Sequence, residues 1–238
     1  LFVDGRYTIQ AKIQSGKYFK IIEMPNNSPK DILKKFKRKL TLGYDPQLFT
    51  SSNLKIKFAN ICKLIPTQKN LIDKIYKDKS KKSITMFYNL STKIIGENIK
   101  SKISRLIKIM KSKKVDNIFI SAPENVAWLL NIRGKDNPNS PIPNCKIILT
   151  NDKKIFFFSC PEKIRLIKRN KDYKNFNFCT YKDFLKIIEK LKGNNFCVDS
   201  STCSITNENL IKTCFNIKIS EDPCYILKSI KNKFELKH

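Results

Sequence analysis

The stretch ENVAWLLNIRGKDNPNSPIP, residues 124–143, decides the fold of this chain, because it joins a short apolar helix to a loop rich in proline and asparagine. Ser121 and Glu124 have the spacing of a capping box, with a proline in the first turn between them. Residues 126–130, VAWLL, are apolar on nearly every side and predict a helix buried in a core. The three prolines of the loop exclude regular structure until Cys145.

Strands and helices alternate on both sides of this stretch. Val115–Ser121 is an apolar run that predicts a buried strand leading into the helix. Two further apolar runs, 146–150 and 155–159, flank an Asn-Asp pair and predict a β-hairpin. Residues 1–77 show the same alternation, but the strands that would lead it are missing. The pattern predicts an α/β fold, and no internal repeat stands out in the sequence.

A run of lysines, Lys77–Ser83, has no apolar periodicity and predicts an interdomain linker. A solvated helix end explains the same composition almost as well. Beyond the run, apolar residues recur at intervals of three and four over 95–110 and predict an amphipathic helix of four to five turns.

The formal charge of +28 suggests a polyanionic partner such as nucleic acid. Only six of the 48 basic residues are arginine, however, and the lysines are spread over every segment. Specific recognition of phosphates or bases favours the planar fork of arginine. We therefore expect a solvated lysine surface and no specific nucleic-acid partner.

The eight cysteines contain no C-x-x-C pair, and most of them lie in apolar runs. Such cysteines are expected to be buried thiols and not disulfides or metal ligands. No run approaches the ~18 apolar residues needed to span a bilayer, so we expect a soluble cytoplasmic protein without a membrane partner.

Several motifs occur in the same order as in one known family. The helix-loop stretch contains AWLLNIRG, preceded by IIGENIKSKI at 94–103 and followed by DPCYILKSIKNKFE at 222–235. LFVDGRYTIQA at 1–11, and LGYDP and NLIDKIY between residues 42 and 76, complete the series. The sequence resembles the three-domain aminopeptidases P, the metal-dependent Xaa-Pro aminopeptidases. The agreement in order along the chain is more specific than any single motif.

The resemblance implies a domain division. Residues 1–77 correspond to the carboxy-terminal part of the first amino-terminal domain, 78–92 to a linker, 93–222 to a second creatinase-like domain, and 223–238 to a connector toward the catalytic domain. The implied fold is a mixed β-sheet flanked by helices, preceded by a partial copy of the same kind of domain. In the family these two domains are distant structural copies.

The resemblance also implies what the chain lacks. The family's catalytic domain has a pita-bread fold and binds two divalent metal ions, expected to be manganese, through two Asp, one His and two Glu ligands. None of these motifs occurs here, and the only histidine is His238. We therefore expect no catalytic, cofactor or metal residue in this chain and no activity of the chain alone. The implied partners are the catalytic domain, proline-containing peptides as the parent substrate, and a second copy bound through the catalytic domain.

Four residues of the helix-loop stretch are candidates for an interface or a cleft wall. They are Trp128, Asn131, Arg133 and Asp136. A structural role is favoured for Trp128 and Arg133, with the indole in the core and the guanidinium tying the loop together. Asp136 is expected to pair with Arg133 across Gly134, and Gly134 to supply the backbone freedom of the turn.

Two functions remain open at this point. The chain is either the non-catalytic amino-terminal region of an Xaa-Pro aminopeptidase, or a stand-alone binding or assembly module, or pseudogene remnant, without enzymatic activity. Asp199 to Thr202 follow a strand but have no histidine base in reach, so they predict a strand-to-helix turn and not a nucleophile loop.

Overall fold

A computed structural model describes residues 1–76, 85–137, 139–169 and 171–237. The chain separates into two compact units, Leu1–Tyr76 and Lys77–His238. The predicted linker lies partly outside the described residues, which exclude the whole lysine run and residues 78–84. Pro138 and His238 also lie outside them. The later part of the predicted linker contains a short strand and the start of a helix.

The first unit alternates short strands with short helices. Its elements are β1 (Phe2–Asp4), α1 (Thr8–Gln14), β2 (Ile22–Met24), α2 (Pro29–Lys34), β3 (Leu40–Tyr44), α3 (Ser51–Phe58), β4 (Cys62–Pro66) and α4 (Leu71–Ile75). The described strands form two separate two-stranded parallel sheets, β1 with β2 and β3 with β4. Tyr18 is 86% exposed and Ile9 76% exposed, so the small sheets leave much apolar surface in contact with water.

The second unit has a larger set of elements in the order β-α-α-β-α-β before its hairpin. They are β5 (Tyr88–Asn89), α5 (Thr92–Ile95), α6 (Ile99–Ser112), β6 (Asn117–Ile120), α7 (Pro123–Leu129), β7 (Ile132–Arg133), β8 (Lys146–Thr150), β9 (Ile155–Phe158), α8 (Pro161–Ile167), β10 (Asn177–Cys179), α9 (Phe184–Ile188), β11 (Asn195–Val198), α10 (Ile205–Lys212), β12 (Asn216–Ile219) and α11 (Cys224–Ser229). None of the helices in the described part is long and apolar enough to cross a bilayer.

A six-stranded mixed sheet organises the second unit, in the order β10-β9-β8-β6-β11-β12. Strand β8 is antiparallel to both of its neighbours, and the other pairs are parallel. The predicted hairpin is the β8–β9 pair, and a separate short pair joins β5 to β7. The predicted mixed β-sheet of an α/β fold is confirmed.

The side chains of this sheet alternate between two apolar clusters, as the two-residue period of a strand requires. Ile147 and Phe157 pack with the residues of α6 and α7. Their neighbours Ile148 and Phe158 pack with those of α9 and α10. Helices therefore cover both faces of the sheet, and α6 and α7 lie on the same face.

The two units share a local arrangement that was not visible as a sequence repeat. Asp45 directly follows β3 and accepts the backbone N–H of Gln47, and Asp199 directly follows β11 and accepts the backbone N–H of Ser201. In both units a helix of eight residues then begins at the same distance from the aspartate, and the next strand returns parallel to the first. The first unit thus repeats part of the topology of the second.

Candidate functional site

The apolar helix α7 begins as the sequence predicts, but its predicted cap is wrong. Pro123 occupies the first turn, and the N-cap residue is Ala122, which has no side-chain cap. Ser121 precedes the N-cap, and its hydroxyl lies 2.7 Å from that of Thr202. The hydroxyl is therefore engaged by the β11–α10 loop and not by the amides of α7. Glu124 still lies in the first turn, where an acidic side chain favours the helix dipole.

Trp128 lies near the end of α7 at the edge of the core. Its indole is partly buried and packs against the apolar cluster on this face of the sheet. Lys102 Nζ lies 4.3 Å from the ring centre, and Arg105 Cζ lies 5.8 Å from it. The Trp128 ring therefore contacts two cationic side chains of α6 and also packs against the apolar core.

Lys102 is the most unusual side chain in this region, because it is only 1% exposed. Its ammonium group donates to the carbonyl oxygen of Trp128 at 2.8 Å and to Oδ1 of Asn131 at 2.7 Å. Burial lowers the pKa of Lys102 to about 8, although the carboxylates of Glu97 and Glu235 act in the opposite direction. The ammonium joins α6 to the end of α7.

Asn131 connects the same helix end to the segment before α6. It is 5% exposed and has a φ of 54°, a left-handed conformation that asparagine tolerates better than most residues. Its Nδ2 donates to the carbonyl oxygen of Glu97 at 2.9 Å, while its Oδ1 accepts from Lys102. Both ends of the amide are therefore used within the fold.

Arg133 does not pair with Asp136, which corrects the prediction from the sequence. Its Nη1 donates to the carbonyl oxygens of Ala127 at 3.1 Å and Ile132 at 2.9 Å. Burial lowers the pKa of Arg133 from its ordinary value. The guanidinium stabilises the turn after α7 through backbone acceptors, because the carboxylate of Asp136 is held elsewhere.

Asp136 is held by three donors from separate segments. It accepts from Lys163 Nζ, from the backbone N–H of Asn144 at 2.6 Å and from Thr85 Oγ1 at 3.0 Å. Burial acts to raise the pKa of Asp136, but the hydrogen bond from Lys163 and the other donors outweigh it, and the net shift is downward. Asp136 fixes the loop to α8, since the Lys163 side chain is itself buried.

Gly134 is required for close approach and not for a left-handed turn. Its φ is not positive, so the predicted need for backbone freedom is wrong. A Cβ at this position would lie 2.9 Å from both Cα and Cβ of Pro143, which is too close for any side chain. The Gly134 N–H donates to the carbonyl oxygen of Pro141 at 3.0 Å, so the two arms of the loop run side by side.

The connector, residues 223–238, returns to this region. Asn232 Nδ2 donates to the carbonyl oxygen of Ile95 at 2.7 Å, and Asn232 Oδ1 accepts from the backbone N–H groups of Phe234 and Glu235. Gly96 has a φ of 70°, and a Cβ there would lie 2.4 Å from Asn232 Oδ1. The described part of the connector is therefore fitted against the segment before α6.

A cavity of about 150 Å³ lies between α6, α7 and the connector. Its lining residues are Glu97, Lys102, Arg105, Trp128, Ile230, Lys231, Asn232 and Glu235. Of the four predicted residues, Trp128 lines the cavity and Asn131 holds its lysine. Arg133 and Asp136 are not among the lining residues, and they stabilise the loop. The four predicted residues therefore do not form one cleft wall: Trp128 and Asn131 lie at the cavity, and Arg133 and Asp136 lie in the loop after α7.

A second buried polar group lies at the carboxyl end of β11, and nothing in the sequence pattern indicates it. Asp199 Oδ2 accepts the backbone N–H of Asp222 at 3.0 Å, and Asp222 Oδ2 accepts from Asn125 Nδ2 at 2.6 Å. Lys228 Nζ donates to Asn125 Oδ1 at 2.6 Å. Burial raises the pKa of Asp222 above its ordinary value. These contacts fix α11, and Asp199 lies in a strand-to-helix turn as predicted.

The donor set of the described residues does not fit a metal ion. No group of three or more His, Cys, Asp or Glu side chains in that part of the chain could hold one. The Asp199 and Asp222 carboxylates accept from backbone and amide donors, so their oxygens are already engaged. The hydrogen bonds of these carboxylates therefore position the helices that carry their donors.

Known proteins resemble this chain over most of its length. A probable Xaa-Pro aminopeptidase P of Laccaria bicolor is 26% identical over 250 residues, which cover 99% of this chain and 39% of that protein. Aminopeptidase P1 of Lotus japonicus is 27% identical over 158 residues, covering 64% of this chain and 24% of that protein. The chain thus spans well under half the length of these relatives.

A solved structure has the same fold. The X-prolyl aminopeptidase of Caenorhabditis elegans, described as a cytosolic enzyme with a di-nuclear active site, matches with a TM-score of 0.81 at 22% identity. The match covers 99% of this chain and 41% of that one. A sequence profile of the Creatinase/Prolidase N-terminal domain matches residues 78–235, which include the whole six-stranded sheet and most of the connector. This chain therefore belongs to the creatinase/prolidase N-terminal domain family.

Proposed function

We propose that this chain is the non-catalytic amino-terminal region of a metal-dependent Xaa-Pro aminopeptidase. The observation that carries the proposal is the match to a probable Xaa-Pro aminopeptidase P over 99% of this chain, which covers 39% of that protein. The parent enzyme would remove an amino-terminal residue linked to proline, and its catalytic domain would use two divalent metal ions, expected to be manganese, to activate water.

The role of this chain would be to pack beside the catalytic domain and shape access to the active site. Residues 1–77 would be the carboxy-terminal part of the first amino-terminal domain and 93–222 the second amino-terminal domain. Residues 78–92 would link them, and the connector 223–238 would lead to the catalytic domain. Trp128 is partly exposed and lies next to the connector, which supports a contact surface for the catalytic domain at this position. Proline-containing peptides would be the parent substrate, a second copy would bind through the catalytic domain, and the enzyme would be cytoplasmic.

The first test measures the chain alone. Purified chain is incubated with manganese and a peptide that begins Xaa-Pro, with and without a chelator, and the released amino acid is measured together with bound metal. We expect no stoichiometric metal and no released residue. Turnover that the chelator abolishes would contradict the proposal.

The second test asks whether this chain can replace the matching amino-terminal segment of a related aminopeptidase without loss of its activity. The matching segment of the Laccaria bicolor protein is replaced by this chain, and the hybrid is assayed on the same peptide. We expect an active hybrid, since the fold is shared along the chain. A hybrid that folds and binds metal but leaves the peptide intact would favour the stand-alone binding module.

A further inference from the structure

The strands and helices of the first unit follow the same order as those from β9 to α11 in the second unit. The parallel pair β1–β2, with α1 between its strands, corresponds to β9–β10 with α8. The pair β3–β4 with α3 corresponds in the same way to β11–β12 with α10. Between the two pairs, capping boxes begin α2 at Ser28 and Asp31 and the segment that leads into α9 at Thr180 and Asp183.

The strands of the large sheet that have no counterpart in the first unit lie at its centre. The order β10-β9-β8-β6-β11-β12 places β8 and β6 between the two parallel pairs. Among the described residues of the first unit, β1 pairs only with β2, and β3 pairs only with β4. One edge of β1 and one edge of β3 are therefore unpaired, and such edges present backbone groups to which another strand can bind.

Backbone hydrogen bonds identify the free groups on β3. The Thr67 N–H donates to the carbonyl oxygen of Tyr44 at 2.8 Å, so the backbone groups of Tyr44 point toward β4. Alternate residues of a strand face opposite edges, and those of Thr41 therefore point away from β4. The counterpart of Thr41 on β11 is Asn195, whose carbonyl oxygen accepts the N–H of Asp116, directly before β6, at 3.0 Å. The free edge of β3 thus has the acceptor that holds a parallel strand in the second unit.

A side chain near this edge is exposed where its counterpart is in contact. The Leu48 N–H donates to the carbonyl oxygen of Asp45, as the Thr202 N–H does to that of Asp199, so Leu48 and Thr202 correspond. The Thr202 hydroxyl contacts that of Ser121, which directly follows β6. Leu48, in contrast, is 72% exposed. A strand at the position of β6 would bring a residue next to Leu48.

Helix α1 shows the same difference. Its two isoleucines, Ile9 and Ile13, are exposed, whereas the isoleucines of α8, Ile164 and Ile167, are buried. Ile167 packs in the apolar cluster that contains residues of α6, α7, β6 and β8. The apolar side chains of α1 therefore lack the cover that these elements give to α8.

We propose that the first unit binds an inserted β-α-β element, with one strand parallel to β3 and the other antiparallel to β1. Its helix covers the isoleucines of α1. In the second unit β6 and β8 come before β9 along the chain, so the same order assigns the element to polypeptide that precedes residue 1 in a longer form of this protein. A second copy does not supply it, because its β6 and β8 are already paired on both edges. The inference rests on the correspondence between the two units and not on the proposed enzymatic function.

The Laccaria bicolor relative supplies the probe. The residues of that protein directly before its match to this chain are fused in front of Leu1, and a flexible glycine-serine segment of equal length is fused as the control. Amide hydrogen exchange, followed by mass spectrometry, is compared for peptides that contain β1 and β3. We expect the relative's segment to slow exchange in both strands at least about tenfold, because their free N–H groups gain acceptors. The glycine-serine segment should leave exchange unchanged.

Two variants of the fusion locate the contact. Leu48 and Ile56 are both 72% exposed, so Leu48→Glu and Ile56→Glu are matched in exposure and in charge. Helix α3 carries Ile56, and its counterpart α10 packs on α9 and β12, which the first unit already has as α2 and β4. We expect Leu48→Glu to remove most of the protection and Ile56→Glu to retain it. Circular dichroism of the unfused variants establishes that both are folded.

The outcomes are distinct. Slower exchange in both β1 and β3, lost in Leu48→Glu and retained in Ile56→Glu, would support the inserted element. Equal exchange in the two fusions, protection of only one of the strands, or equal loss in both variants would overturn the proposal. Protection of the unfused chain that grows with its concentration would assign the edges to a second copy and would also overturn it. Peptidase activity is not a readout here, so either result leaves the proposed function to its own tests.

Discussion

Lys102 Nζ lies 2.7 Å from Asn131 Oδ1, and this hydrogen bond holds a cation inside the second unit. The same nitrogen donates to the carbonyl oxygen of Trp128, so one buried ammonium fixes the end of α7 to α6. The position of Trp128 therefore depends on a residue 26 places earlier in the chain.

The pH dependence of stability should report this lysine. The folded-state pKa of Lys102 is about 8, and its ordinary value is 10.5. Between these values the unfolded chain binds more protons than the folded one, so the contribution of Lys102 to stability should rise from pH 8 to pH 10.5. We expect the urea midpoint of the wild type to rise relative to that of Lys102→Met as the pH is raised through this window. A difference that stays constant would contradict the burial of the charge.

Lys108→Met is the control for that measurement, because Lys108 lies on the exposed side of the same helix. Lys108→Met should leave the free energy of unfolding within about 0.5 kcal/mol of the wild-type value at every pH of this window.

Truncation of Trp128 should separate core from cleft. A fully buried aromatic costs ~3–5 kcal/mol on replacement by alanine, and an exposed one usually below about 1 kcal/mol. Trp128 packs on the core with only part of its ring, so we expect Trp128→Ala to lower the free energy of unfolding by roughly 2–3 kcal/mol. Chemical denaturation followed by circular dichroism measures this value. A loss below about 1 kcal/mol would assign the indole to the surface.

Gly134→Ala should destabilise the loop after α7. The added Cβ would lie 2.9 Å from Cα and Cβ of Pro143, and a proline backbone yields little. We expect a cost of about 1–3 kcal/mol, the usual range for overpacking. Gly5→Ala is a matched control, since a Cβ at Gly5 would have no atom within 4 Å and the φ of Gly5 is not positive. Equal thermal midpoints for the two variants would show that the loop moves freely.

Limited proteolysis should cut the first unit before the second. Two-stranded sheets are marginal in water, and the first unit has exposed apolar side chains such as those of Tyr18 and Ile13. The six-stranded sheet is covered on both faces. We expect a resistant product from about residue 85 to 222, identified by mass spectrometry. Equal resistance of both units would mean that the first unit is as stable as the second.

The sequence predicts the positions of helices and strands, because these depend on apolar periodicity and proline. It does not predict hydrogen bonds whose partners lie far away in the chain. The position of α7 follows from Pro123, and the hairpin follows from the Asn-Asp pair between its strands. The predictions of a cap at Ser121 and of an Arg133–Asp136 pair are wrong, because Ser121 and Asp136 have partners far away in sequence and Arg133 donates to backbone carbonyls.

Buried lysines are the clearest case of such a miss. Lysine is almost never fully buried unless it is paired, so the sequence alone places Lys102 and Lys163 on the surface. One signal is present in the sequence, since Lys102 lies three residues after Ile99 and four before Leu106, a spacing that places it on the apolar stripe of α6. Only the folded chain shows the acceptors that make the burial tolerable.

The paired turns after β3 and β11 have a consequence for how such chains change over time. The sequences DPQLFT at 45–50 and DSSTCS at 199–204 share almost no side chains beyond the aspartate and a hydroxyl residue at the helix cap. They nevertheless keep the same order of backbone donors and acceptors. The hydrogen-bond pattern of this turn therefore restricts the sequence at two positions, the aspartate and the hydroxyl residue of the helix cap, and the residues between them can be substituted over time without loss of the turn.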